Sequence, residues 1–179
     1  ASQTLHVHHV AYLVDHGLPA MTAATIVGIV GASSIVGKIG GGWLSDRIDR
    51  EFIYVAGIGC VVLGIGLLGL VRWLPSLWVP YGYAVLFGAG YSVTASLAPA
   101  MVSDRFGGRN FGAIVGLSMV GGAIGSALGA WLAGFLFDLS GSYAIPFTIA
   151  GACAAAAGAA AWHARTLRRR ALRAASPPT

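Results

Sequence analysis

Residues 52–71 read FIYVAGIGCVVLGIGLLGLV, twenty positions without a charge, closed by Glu51 on one side and Arg72 on the other. A helix rises about 1.5 Å per residue, so this run reaches about 30 Å, the thickness of a bilayer's hydrocarbon core. In lipid every backbone N–H and C=O must be satisfied internally, which leaves helices and closed barrels. The run lacks the alternation of a barrel strand and is about twice too long for one. It is a transmembrane helix.

The same reading extends outward in both directions. Residues 17–37, 73–103, 110–137 and 139–162 are also free of charge, each at least 20 residues long. Hydrophobic residues make up 56% of the 179 and charged residues only 9%, with mean hydropathy +0.77. A soluble domain carries about a quarter charged residues, so there is too little polar surface to cover a water-facing globule. The first 16 residues hold a shorter apolar segment, Leu5 to Val14, with His6, His8 and His9 inside it. It has no basic leader or small-residue cleavage site, and reads as the second half of a spanning helix whose beginning is missing. The expected architecture is all-α: one bundle over 1–163 with spans at about 1–16, 19–43, 52–72, 77–103, 110–137 and 143–163, then a basic tail over 164–179.

Charge placement orients the bundle. Lys38, Arg47, Arg50, Arg105, Arg109, Arg165, Arg168, Arg169, Arg170 and Arg173 fall on one side of the membrane, and Arg72 alone on the other. Ten cations against one predict a cytoplasmic location for the ten and for the C-terminus. Trp73, Trp78, Tyr81, Tyr83 and Tyr143 read as anchors at the outer boundary, and Trp43, Tyr54 and Trp162 at the inner one. The net charge of +5 comes from these loops and the tail, which predicts contact with anionic lipid and no nucleic-acid partner. Cys60 and Cys153 each lie in an apolar run and read as packing residues.

Small residues supply the packing signal. Gly121, Gly125 and Gly129 repeat at i, i+4, i+8, after Gly112 and Gly116; Gly37 and Gly41, with Gly28 and Ala32, do likewise in the second helix. Such ridges let backbones approach where lipid offers no hydrophobic drive. Gly64, Gly66 and Gly69 spell GxGxxG, but a dinucleotide site needs a preceding strand and a solvated helix start. These glycines lie inside a span.

The most specific motif is GWLSDRIDRE, residues 42–51. It resembles the loop signature of the major facilitator superfamily, G-x-L-A/S-D-R-x-G-R-K/R. Gly42, Leu44, Ser45, Asp46, Arg47 and Arg50 match; Asp49 stands where the family usually has Gly, and Glu51 where it has a basic residue. A carboxylate such as Asp46 can accept from the free N–H groups of a neighbouring helix start, held by a charge-assisted pair to Arg. The resemblance implies a cytoplasmic gating loop of Gly42, Asp46, Arg47 and Arg50, acting between two halves. Residues 7–17 resemble the outer half of the seventh helix in monocarboxylate-transporter-like and oxalate/formate-type members. Residues 134–143 resemble the Gly-Ser-Tyr connection between their last two helices. The implied fold is the C-terminal six-helix half of the superfamily, a 3+3 inverted repeat, with its first helix truncated. A second Ser-Asp-Arg, residues 103–105, sits at a non-equivalent boundary. There Asp104 is expected to cap the next helix, and Arg105 and Arg109 to act as topology charges.

Polar residues within spans are costly and usually line a pathway. On a helix His8, Tyr12 and Asp15 share one face, and the resemblance places a His at position 8 facing the central cavity. Lys38 resembles an Arg that meets a substrate carboxylate in monocarboxylate carriers, though the acidic partner one turn earlier in those carriers is here Ser34. Tyr91 and Thr94 in the fourth helix and Ser118 in the fifth complete the cavity candidates. The first, second, fourth and fifth helices are implied to line the cavity, the third and sixth to be peripheral. His6 and His9 lack further ligands at metal spacing, so neither metal nor cofactor is expected.

The resulting expectation is a secondary transporter, not an enzyme, that moves a small carboxylate-type anion by alternating access. Its partners are the lipid bilayer and a missing N-terminal six-helix half or a second copy. The Ala/Gly/Arg-rich composition suggests a bacterial inner membrane. Two other readings stay open: a non-transporting scaffold or sensor of the same descent, and a membrane-embedded enzyme using His8, His9 or Asp15.

Overall fold

The computed structural model describes residues 2–74, 76–106, 108 and 110–175, without the side chains at 168, 169 and 171–175. Arg109 therefore lies outside the described residues, as do the side chains of Arg168, Arg169 and Arg173. Six helices follow in order: α1 Ser2–Asp15, α2 Ala20–Ser45, α3 Arg50–Leu70, α4 Trp78–Phe106, α5 Phe111–Ser140 and α6 Ala144–Ala175. Five are long and apolar enough to cross a membrane, α2 through α5 and residues Ala144–Leu167 of α6. Among the described residues there is no strand. The fold is consistent with half of the transporter architecture implied by the loop motif.

Local chemistry sets the helix ends. Gly17 takes φ +86° after α1, and Pro19 then starts α2, a position where a missing N–H costs nothing. Gly141 closes α5 in the left-handed conformation and donates to the Phe137 carbonyl at 2.7 Å, a helix stop that glycine makes without Cβ strain. α6 does not end where the apolar run ends; it continues as helix to Ala175, so Arg165 sits on a helix face.

α4 is the central element, packed between α2 and α3. Its backbone approaches both through glycine. A Cβ on Gly88 would overlap the Val30 carbonyl oxygen of α2. One on Gly90 would lie 2.5 Å from the Gly57 carbonyl oxygen of α3. From the other side, Gly37 meets Ser92 Oγ and Ala89, and Gly64 meets Phe87. The Ser34 hydroxyl, hydrogen-bonded to Val30 O at 2.8 Å, also reaches Gly88 O across the contact at 3.1 Å. The core beside this crossing holds Leu5, Leu13, Ile26, Leu68, Tyr83 and Phe87, all fully buried. Tyr83 is thus a core residue, not the boundary anchor expected of it.

α5 differs from the rest. Ala133 is its one buried residue among those described, and Gly112, Gly116, Gly121, Gly122 and Gly125 have nothing within 4 Å of a built Cβ. The N-terminal part of the most regular glycine ridge thus makes no close approach, whereas Gly37 and Gly41 of the second ridge pack on α4. Leu117, Val120, Ile124 and Leu128 are exposed with it. Nothing inside the bundle covers this face.

Candidate functional site

The histidines of α1 each find an aromatic partner. His8 Nε2 lies 3.3 Å from the Ala130 carbonyl of α5, and its Nδ1 lies 3.3 Å from the Tyr143 hydroxyl. A carbonyl can only accept, so Nε2 donates to it; a neutral ring then leaves Nδ1 to accept from the phenol. His9, buried, meets the Tyr83 hydroxyl of α4 at 3.2 Å through Nδ1. His6 stands edge-on to Tyr91, ring centroids 4.7 Å apart. His16 lies against Tyr12 at 4.1 Å.

The candidate cavity residues do not gather into one cluster. His8 and Tyr12 converge on Tyr143, with ring centroids 5.4 and 5.9 Å away. Tyr12 is buried and turns toward Phe147 of α6. Tyr91 is half-buried and stacks on Phe87. The Thr94 hydroxyl donates to its own helix at Tyr91 O, 2.8 Å, and its methyl faces Gly57 of α3. Ser118 likewise bonds Ile114 O at 2.9 Å, but on the open face of α5. Lys38 is exposed on α2, beside the buried Gly37.

The opposite constellation is far more connected. Asp49, Arg50 and Glu51 are consecutive, and each reaches a different partner. Asp49 Oδ2 is 3.0 Å from Arg165 of α6, Arg50 Nη1 is 3.0 Å from both carboxylate oxygens of Asp104, and Glu51 Oε1 is 3.3 Å from Arg105. Arg50 also approaches Asp46 at 3.7 Å. Two expectations are corrected here. Asp104 does not cap the next helix, because it lies within the last turn of α4 and binds Arg50. Arg105 is more than a topology charge, because it neutralises a carboxylate that is only 7% exposed. A charge buried without a partner is costly, and the two positions that depart from the motif, 49 and 51, join the matching Arg50 in tying the start of α3 to α6 and α4. Asp46 itself is 71% exposed, and Arg47 lies over the Trp43 ring at 3.7 Å. Nothing local in the sequence signalled these pairs, nor Tyr83 or Tyr143 as histidine partners.

The His9–Tyr83 bond yields a direct test. Tyr83→Phe removes the hydroxyl from a buried histidine and is expected to cost about 1–3 kcal/mol. Thermal unfolding in detergent reads it, and an unchanged midpoint rejects the bond.

Five membrane-length helices, ion-paired at one end, define a polytopic membrane bundle. The family model described as Major Facilitator Superfamily matches residues 8–178, and the chain belongs to that superfamily. Monocarboxylate transporter 13 of Rattus norvegicus is 31% identical over 152 residues, covering 82% of this chain and 34% of that protein. Monocarboxylate transporter 12-B of Danio rerio is also 31% identical, covering 81% and 31%. An uncharacterized MFS-type transporter, YcxA of Bacillus subtilis, is 26% identical over 119 residues, covering 63% and 28%. The chain thus matches about a third of the length of these relatives.

Proposed function

We propose that this bundle is one half of a secondary transporter for a small carboxylate-type anion, working by alternating access against a second six-helix bundle. The observation that carries the reading is the uncovered face of α5. Lys38, the single lysine of the chain, is exposed on α2. The relatives named monocarboxylate transporters support the anionic substrate class. The candidate residues divide by their contacts: Lys38 and Ser118 meet the solute, Tyr91 borders it beside His6, and His8, Tyr12 and Thr94 hold the lining helices in place. Gly42, Asp46, Arg47 and Arg50 form the gating loop, whose exposed Asp46 is the member left to engage the second bundle. The ion-paired end faces the cytoplasm of a plasma membrane, in line with the distribution of cations.

Uptake of a labelled short monocarboxylate into proteoliposomes, with this bundle in a complete twelve-helix transporter, tests the proposal. Lys38→Gln is expected to lower uptake at least tenfold, Lys38→Arg to retain most of it, and the bundle alone to transport nothing. Undiminished uptake by Lys38→Gln, or uptake by the bundle alone, overturns it.

A further inference from the structure

A groove of about 570 Å³ runs between α3 and α6, with Tyr12 of α1 on its wall and neither α2 nor α5 lining it. It therefore lies apart from Lys38 and Ser118, the residues proposed to meet the solute, and shares only Tyr12 with the cavity candidates. Its shape follows from a gradient of side-chain contact along the two helices. At one end α3 and α6 touch: a Cβ on Gly158 would lie 3.0 Å from Ile58. Two turns on, Gly151 would stand 3.7 Å from Ile65, and beyond that Gly66 and Gly69 have nothing within 4 Å. Glycine contact between the helices thus thins toward the end of α3 that leads into Arg72, where the groove lies.

The chemistry changes along the same line. The floor is formed by Gly66, Gly69, Gly151 and Ala155; one end is closed by Arg72, His16 and Trp73. Arg72 is the one cation on its side of the membrane, at the opposite end of α3 from the ion-paired Arg50. It makes no ion pair among the described residues; its guanidinium instead lies 4.7 Å from the Trp73 ring centroid. Asp15 and Asp138 do not line the groove.

We propose that this α3–α6 groove binds an anionic phospholipid, with one acyl chain on the glycine floor and the phosphate on Arg72. An arginine fork suits a phosphodiester and is only weakly hydrated. A tryptophan beside it sits at headgroup depth, where such rings are enriched. The volume falls in the range of roughly 300–1,000 Å³ typical of specific small-molecule sites. A zwitterionic lipid offers the same chain and phosphate but adds a cation facing Arg72, so the site prefers the anionic headgroup.

Native mass spectrometry of the full chain in detergent tests this, with delipidated protein titrated by dioleoyl phosphatidylglycerol or dioleoyl phosphatidylcholine. The phosphatidylglycerol adduct is expected at about fivefold lower lipid concentration, the scale of one membrane-proximal charge. Arg72→Gln is expected to erase that preference while phosphatidylcholine binding stays. Gly69→Leu, or Gly66→Leu as a second variant, is expected to reduce both adducts, because the Cβ at either position meets nothing within 4 Å and the side chain beyond it enters the groove. Equal binding of the two lipids, a preference that survives Arg72→Gln, or adducts unchanged by both leucine variants overturns the proposal.

Discussion

Gly88→Ala is expected to lower the thermal unfolding midpoint of the bundle, and Gly88→Leu to leave no monodisperse protein after extraction. Alanine at an ordinary helix position gains about 1 kcal/mol over glycine. At Gly88 that gain competes with overlap onto the Val30 carbonyl oxygen, which belongs to a helix backbone and cannot swing aside. Overpacking costs about 1–3 kcal/mol even where side chains can adjust, so the clash wins. Gly90 faces the same limit against the Gly57 carbonyl oxygen, and Gly90→Ala is expected to match it. The contrast lies on α5. Gly116→Ala and Gly121→Ala meet nothing within 4 Å and should be neutral or mildly stabilising in the isolated bundle. Equal midpoints for the α4 and α5 variants, followed by tryptophan fluorescence in detergent, would contradict the glycine-mediated crossing.

Arg105→Ala is expected to have the largest effect of any charge removal at the ion-paired end. Glu51 is the most buried carboxylate there, and Arg105→Ala takes a guanidinium at 3.3 Å away from it, weakening the compensation of a largely desolvated charge by about 1–3 kcal/mol. Arg50 pairs with Asp104 and Asp46, both well exposed, and exposed pairs contribute about 0–1 kcal/mol. Arg50→Ala should therefore cost less, although it removes contacts to two carboxylates. The double variant Glu51→Gln with Arg105→Gln removes both charges together and should recover part of the loss. Chemical or thermal unfolding of the unaltered protein, Glu51→Gln, Arg105→Gln and the double variant measures the cycle. If Arg50→Ala proves the more damaging, burial of Glu51 is not what governs this end.

The loop at 42–51 shows why the motif and its structural role separate. Matching residues identify the superfamily, and the mismatches looked like losses of basic charge. In the folded bundle Asp49 and Glu51 bind Arg165 and Arg105, partners 116 and 54 residues away. Such pairs depend on where three helices end in space, which no local spacing records. His8 is a parallel case. Its face on α1 was legible from the i, i+4 pattern, but the groups on that face, Ala130 O and Tyr143, come from the far end of the chain. The repeated glycines of α5 were the clearest packing signal, yet Gly112, Gly116, Gly121 and Gly125 have nothing within 4 Å of a built Cβ; Gly88 and Gly90, in no regular ridge, make the closest approaches.

By itself the sequence determined that the chain is helical and membrane-embedded, where its charge-free runs lie, and which superfamily it belongs to. Each of these follows from length, apolar run and a short contiguous motif, quantities that one helix or one loop expresses alone. Only the tertiary structure decided which glycines bring backbones together, which carboxylates are buried, and that glycine contact between α3 and α6 thins toward Arg72. Those outcomes depend on the register and splay of helices against one another, where one turn of sliding changes every partner.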